Sequence, residues 1–185
     1  MRSIAAILAA AAFFLASPAA AQQPLTYFGL TFPAKIGGAQ IGSPYDFEKT
    51  NPGVGYSVEY LRPGWKINVY IYNLSLPSIP EDVQSELVRG EFELSKNAIL
   101  KSPSYANVKL NSTYVITDAS LRPRFLCATV VYKRQDFGES DSLLCVTSWK
   151  NKFIKYRLSA KRQKGSETEA KAFVEAWTKV LWPAS

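Results

Sequence analysis

The chain has 185 residues, with 22 Lys plus Arg against 15 Asp plus Glu, a formal charge of +7, and 47% hydrophobic and 13% aromatic content. A charged fraction of 20% beside that much aromatic material can bury a core, which excludes intrinsic disorder, collagen-like repeats and heptad coiled coils. Histidine is absent, and with it go Ser-His-Asp and Cys-His dyads, HExxH zinc sites and imidazole proton relays.

The chain opens with Met1 and Arg2, an apolar run from Ile4 to Leu15, a break at Ser17-Pro18, and the small residues Ala19, Ala20 and Ala21. This pattern predicts a secretory signal peptide over 1–21, cleaved before Gln22. The run is short of the roughly 20 residues a spanning helix needs, and the rival reading is an uncut N-terminal anchor. No Cys lies near the cleavage point to accept a lipid, and no second long apolar run follows, so the mature chain is expected to be soluble and without a transmembrane segment. An Ala-rich signal with a single Arg points to a bacterial product of the periplasm or medium. In a eukaryotic setting, Asn73-Leu74-Ser75 and Asn111-Ser112-Thr113 would be possible glycan acceptors.

Residues 22–185 contain no fixed-period repeat and no long low-complexity linker, and read as a single α+β domain. From Leu25 to Phe47, Gly and Pro punctuate short strand pieces and turns. Alternation over Val54, Tyr56, Val58 and Tyr60, then Arg62-Pro63-Gly64, then Trp65, Ile67, Val69 and Ile71, predicts a hairpin. Tyr70 and Tyr72 give its second strand two apolar faces, which places that strand away from a sheet edge.

Ser78, Pro80 and Glu81 have the spacing of a capping box and predict a helix to about Leu100. Its apolar stripe is Val83, Leu87, Leu94 and Ala98, widened by Val88, Phe92 and Ile99. Four strands follow at about 108–116, 124–133, 142–150 and 153–160, with joins short enough to force antiparallel neighbours. Ser166 and Glu169 repeat the capping-box spacing ahead of a second helix, whose stripe is Ala170, Phe173, Val174, Trp177 and Leu181. The expected fold is an antiparallel sheet of about six strands, with one inserted helix and a C-terminal helix packed on it.

Cys127 and Cys145 fall on consecutive strands, symmetric about the turn at 135–140, so a regular hairpin brings them face to face as a disulfide. Export favours closure of such a bond. A redox-active pair is the alternative, but the CxxC spacing is missing.

Charge is concentrated locally. Residues 122–164 carry 11 basic and 3 acidic groups, while the rest of the chain beyond the signal is nearly balanced. Pairing the last two strands about Asn151 sets Trp149 opposite Phe153, Thr147 opposite Lys155 and Cys145 opposite Arg157 on one polar, basic face. Lys155, Arg157, Trp149, Arg122, Arg124 and Lys152 are therefore the candidate binding residues, for an acidic protein, a lipid headgroup or an acidic glycan. The plainer alternative is a solvated face that keeps the protein soluble. Nucleic acid is not expected as a partner, because the chain carries an export signal and no RNP, helix-turn-helix or zinc-finger spacing.

No Walker or GxGxxG loop, DxDxDG loop or His/Cys cluster is present, so neither a cofactor nor a metal site is expected. The sequence thus suggests an exported, non-enzymatic binding or assembly module. The alternative is a His-free hydrolase or lyase acting on envelope polysaccharide through two converging carboxylates.

The stretches IGGAQIGSPYDFEKTNPGVGYSVEY (36–60), WKINVYIYNL (65–74) and FIKYRLSA (153–160) resemble those of small exported bacterial proteins, and the element order is similar to the PsbP-like α-β-α sandwich. That resemblance implies a non-enzymatic accessory or binding role. It carries over no residue assignments.

Overall fold

The computed structural model describes residues 23–135 and 137–183. The expected signal peptide lies outside them. Leu25–Tyr27 (β1) and Leu30–Phe32 (β2) form a small hairpin of their own. The remaining strands are Lys35–Ile36 (β3), Ala39–Asp46 (β4), Tyr56–Leu61 (β5), Trp65–Tyr72 (β6), Ala106–Thr117 (β7), Pro123–Arg134 (β8), Gly138–Trp149 (β9) and Lys152–Lys161 (β10). They form one antiparallel sheet in the order β3-β4-β5-β6-β10-β9-β8-β7.

The sheet therefore has eight strands, two more than the sequence reading. The extra pair, β3 and β4, comes from the Gly- and Pro-punctuated region. Gly37 and Gly38 both take positive φ, 54° and 78°, and reverse the chain in two residues. The hairpin of β5 and β6 forms as expected, and β6 is paired on both sides.

Each face of the sheet is covered by a helix, which makes an α-β-α sandwich. Glu86–Leu100 (α1) packs on one face, where Val88, Phe92 and Ile99 meet Tyr72, Ala128, Val130, Tyr132, Leu144, Val146 and Phe153. Ser166–Ala176 (α2) and Thr178–Leu181 (α3) cover the other. Their stripe of Ala170, Phe173, Val174, Trp177 and Leu181 is buried as expected, against Tyr60, Val69, Ile71, Cys127, Cys145 and Tyr156. Among the described residues, no helix is long and apolar enough to cross a membrane.

Both helix starts differ from the capping-box reading, because tertiary partners take the capping groups. The Ile79 amide donates to the Asn151 side chain at 2.5 Å, and Glu81 accepts from the Lys150 amide at 2.7 Å. Residues 77–84 are thereby tied to the β9–β10 turn. The helix begins only after Ser85, whose hydroxyl accepts from the Val88 amide. Its inner stripe is consequently Val88, Glu91, Phe92 and Ile99, whereas Leu87, Leu94 and Ala98 are exposed. At α2, Gly165 occupies the cap with φ 93°, and the buried Ser166 donates its hydroxyl to Asp141 instead of capping.

Candidate functional site

The disulfide is where the hairpin symmetry placed it. Cys127 is paired in register with Cys145, with a Cα–Cα distance of 4.2 Å and an S–S distance of 2.01 Å. Both residues are fully buried on the α2 face, in a row that runs Tyr114, Cys127, Cys145, Tyr156, Val69 across five strands.

The candidate basic face is not formed. The β9–β10 turn has two residues, Lys150 and Asn151, both at positive φ (44° and 62°), so Lys152 pairs with Trp149. The register is one residue away from a pairing centred on Asn151. Because side chains alternate, that slip moves the whole of β10 to the other side relative to β9. Lys155 faces Val146 and Arg157 faces Leu144 on the α1 side, while Tyr156 is the partner of Cys145.

The six nominated residues accordingly separate. Trp149 is buried and donates its indole N–H to the Leu181 carbonyl at 2.8 Å, which ties β9 to the C-terminal helix. Lys152 lies over the Phe28 ring. Arg124 donates to Asp118 at 2.7 Å and stacks on Trp182, and Arg122 is exposed in the β7–β8 turn. At Asp118, burial pushes the pKa up, but hydrogen bonds from Arg124 and from the Arg122 and Ser120 amides outweigh it and hold the carboxyl below its ordinary range. These four sit at one end of the sheet. Only Lys155 and Arg157 stay together, on the α1 side.

Around that pair the structure builds a charged cluster beneath α1. Lys155 Nζ is 3.9 Å from Glu91 Oε1 and lies over the rings of Tyr70 and Tyr72, at 5.2 and 4.9 Å. Glu91 accepts from the Tyr72 hydroxyl at 2.6 Å and from Ser95 at 3.0 Å. Burial lowers the Lys155 pKa; Glu91 opposes that shift and Arg157 adds to it. Burial raises the Tyr70 pKa, and Arg157 pulls it back. Arg157 Nη1 is buried and has no hydrogen-bond partner among the described residues.

A cleft of about 270 Å³ opens here, lined by Tyr70, Ser95, Tyr105, Leu144, Lys155 and Arg157 among others. Tyr105 also borders an open groove of about 770 Å³ at the end of the sheet, formed by residues 103–107 with Lys66, Lys133, Arg134 and Gln135. Among the described residues, no acid lines either space. Glu139, the cross-strand partner of Lys133, lies outside the groove lining.

The sequence reading passed over Glu91, Lys66, Lys133 and Arg134. One signal pointed to Glu91: Val88, Glu91, Phe92, Ser95 and Ile99 follow helical spacing, so an acid in that stripe calls for a buried cationic partner. Lys66 comes from β6 and the adjacent Lys133 and Arg134 from the end of β8, and nothing local brings the two segments together. As for carboxylate pairs, Asp141 and Glu167 line a common recess of about 10 Å³, which has no room for a sugar ring. Among the described residues, no group of three or more Cys, Asp or Glu side chains is placed to hold a metal.

The fold and the site define a disulfide-stapled α-β-α sandwich with a cationic cleft between one helix and the sheet. Among solved structures the chain is similar to cyanobacterial PsbP (CyanoP) from Synechocystis sp. PCC 6803, at 15% identity and a TM-score of 0.49, covering 88% of this chain and 96% of that one. It is also similar to the Ran-binding protein Mog1p of Saccharomyces cerevisiae, at 6% identity and a TM-score of 0.37, covering 77% and 93%. No protein-family model matches the chain, and no curated protein does either. The α-β-α layering expected from the sequence is present in the sheet and the helices on its two faces, and no residue role is carried over from either protein.

Proposed function

We propose that the protein is an exported, non-enzymatic binding or assembly module that takes an acidic segment of a partner protein into the groove of Lys66, Lys133 and Arg134. One observation carries this reading: cations from two strands far apart in sequence line an open groove, and no acid is among the described residues of its lining. Such a surface attracts and orients an anionic segment. The groove also has walls, formed by the 103–107 loop and the strand ends, which suit an extended chain better than a flat membrane surface. Export is part of the proposal, supported by the N-terminal sequence and by a buried disulfide of the kind that persists in oxidising compartments.

The test compares the wild-type protein with a Lys66→Glu/Lys133→Glu double variant, using immobilised poly-glutamate, anionic phospholipid vesicles and an acidic polysaccharide as probes. Both lysines are exposed, so the melting temperature is expected to stay within about 2 °C, in line with surface changes of about 0.5 kcal/mol or less. Poly-glutamate capture is expected to fall at least tenfold and to weaken steeply with salt. Undiminished capture rejects the groove. Stronger capture by vesicles or polysaccharide than by poly-glutamate replaces the protein segment with that partner.

A further inference from the structure

We infer that the cleft beneath α1 is a receptor for a single carboxylate, held by the Arg157 guanidinium with the Lys155 ammonium beside it. The inference rests on the reading of the protein as a module for an acidic partner, and names the chemical group of that partner that enters deepest.

The first support is an unmet hydrogen-bonding need. Arg157 Nη1 is buried without a hydrogen-bond partner among the described residues, although buried polar groups in folded proteins are nearly always satisfied. A guanidinium presents its N–H groups as a planar fork that matches the two oxygens of a carboxylate. Leu144, its cross-strand neighbour, supplies an apolar wall for the methylenes of an acidic side chain.

The second support is the charge count. Lys155 and Arg157 contribute two positive charges, and Glu91, hydrogen-bonded to Tyr72 and Ser95, contributes one negative charge. One positive charge is left over. The next acid on this row of the sheet, Glu59, is separated from Arg157 by Asn68, about 10 Å away at ordinary strand spacing. A monoanion brings the cluster to neutrality, whereas a dianionic phosphate would leave surplus negative charge in a poorly solvated site beside Glu91.

The third support is size. A cleft of about 270 Å³, below the usual range for drug-sized ligands, admits a side chain and little more. It shares Tyr105 with the larger groove, which places Arg157 near a peptide lying in that groove.

The experiment is an NMR titration of the isotopically labelled protein with N-acetyl-glutamate methylamide, its glutamine counterpart and inorganic phosphate. The glutamate compound is expected to give saturable shifts at the Arg157 side-chain N–H and at the amides of residues 155–157, and the glutamine compound none. Arg157→Gln should weaken binding at least tenfold without lowering the melting temperature. Arg157→Lys, which keeps the charge but loses the fork, should fall between the two, and decides the matter if the first variant folds poorly. Equal response to the glutamine compound, unchanged affinity in both variants, or tighter binding of phosphate overturns the inference. Poly-glutamate capture that survives such a result leaves the proposed function standing. Capture that persists in the Lys66→Glu/Lys133→Glu variant removes that reading and leaves the titration to be judged on its own.

Discussion

Glu91 of α1 and Lys155 of β10 face each other across the helix–sheet interface, Oε1 to Nζ at 3.9 Å, and the Tyr72 hydroxyl donates to the same oxygen. The pair joins helix to sheet where an apolar contact would otherwise be. Lys155→Glu sets a second carboxylate against the first, and is expected to cost on the order of 3 kcal/mol in urea unfolding, as for breaking a buried ion pair. Glu91→Gln retains an acceptor for Tyr72 and should cost about 1 kcal/mol. A Lys155→Glu protein as stable as wild type would show that the pair is not enclosed.

Alkaline stability follows from the buried tyrosines. Burial raises the pKa of Tyr60, Tyr72 and Tyr156 above the ordinary 10.0, and that of Tyr114 to about 12. The unfolded chain therefore releases these protons first. Their contribution to stability is complete below pH 10 and is lost as pH rises from there through the folded-state values. Lys155 works in the opposite sense, because burial lowers its pKa and the cost of keeping it charged fades as pH approaches 10.5. Four tyrosines outweigh one lysine, so the urea midpoint is expected to fall above pH 10, with phenolate absorbance appearing together with unfolding. Ionisation of all ten tyrosines near pH 10 in the folded protein would contradict this.

The Cys127–Cys145 bond closes a loop of 18 residues. Restricting the unfolded chain by that loop is worth about 3 kcal/mol. A Cys127→Ala/Cys145→Ala variant should lose about that much in denaturant unfolding, and the mass of the wild-type protein should be two hydrogens below the reduced value. Free-thiol labelling of the native protein would refute the bond.

Gly55 has φ 74°, and its amide donates to Glu48 at 2.6 Å. A Cβ at this position would lie 1.9 Å from the Ile71 carbonyl oxygen. Gly55→Ala is expected to destabilise by on the order of 3 kcal/mol through backbone displacement at the start of β5. Gly64, also at positive φ but with open space around it, serves as the control and should lose only about 1 kcal/mol on the same change.

Trp149 ties β9 to the C-terminal helix through its indole N–H. Trp149→Phe removes the donor to the Leu181 carbonyl and should lower stability by about 1–2 kcal/mol, while poly-glutamate capture stays at the wild-type level. A loss of capture at unchanged stability would return Trp149 to the binding surface.

The sequence was most readable where periodicity and sidedness coincide. The α2 stripe ending in Trp177 and Leu181, the hairpin of β5 and β6, and the facing cysteines all formed as expected, because each is set by local spacing. The face of β10 was not readable, since it depends on whether one residue or two make the turn at Asn151. The alternation of β10 alone is compatible with either. The start of α1 was equally hidden: Ser78 and Glu81 have capping spacing, but the β9–β10 turn, some 70 residues away in sequence, takes the groups that would have capped.

From its residues alone the chain determined the α+β class, the paired cysteines and the excess of positive charge in 122–164, since composition and hydrophobic period act on short segments. Only the tertiary structure decided where that charge goes: Lys155 and Arg157 lie beneath a helix, and Lys66, Lys133 and Arg134 gather around a groove at the sheet end. Register and helix placement are long-range choices, and a one-residue step in a turn is enough to exchange the two faces of a strand.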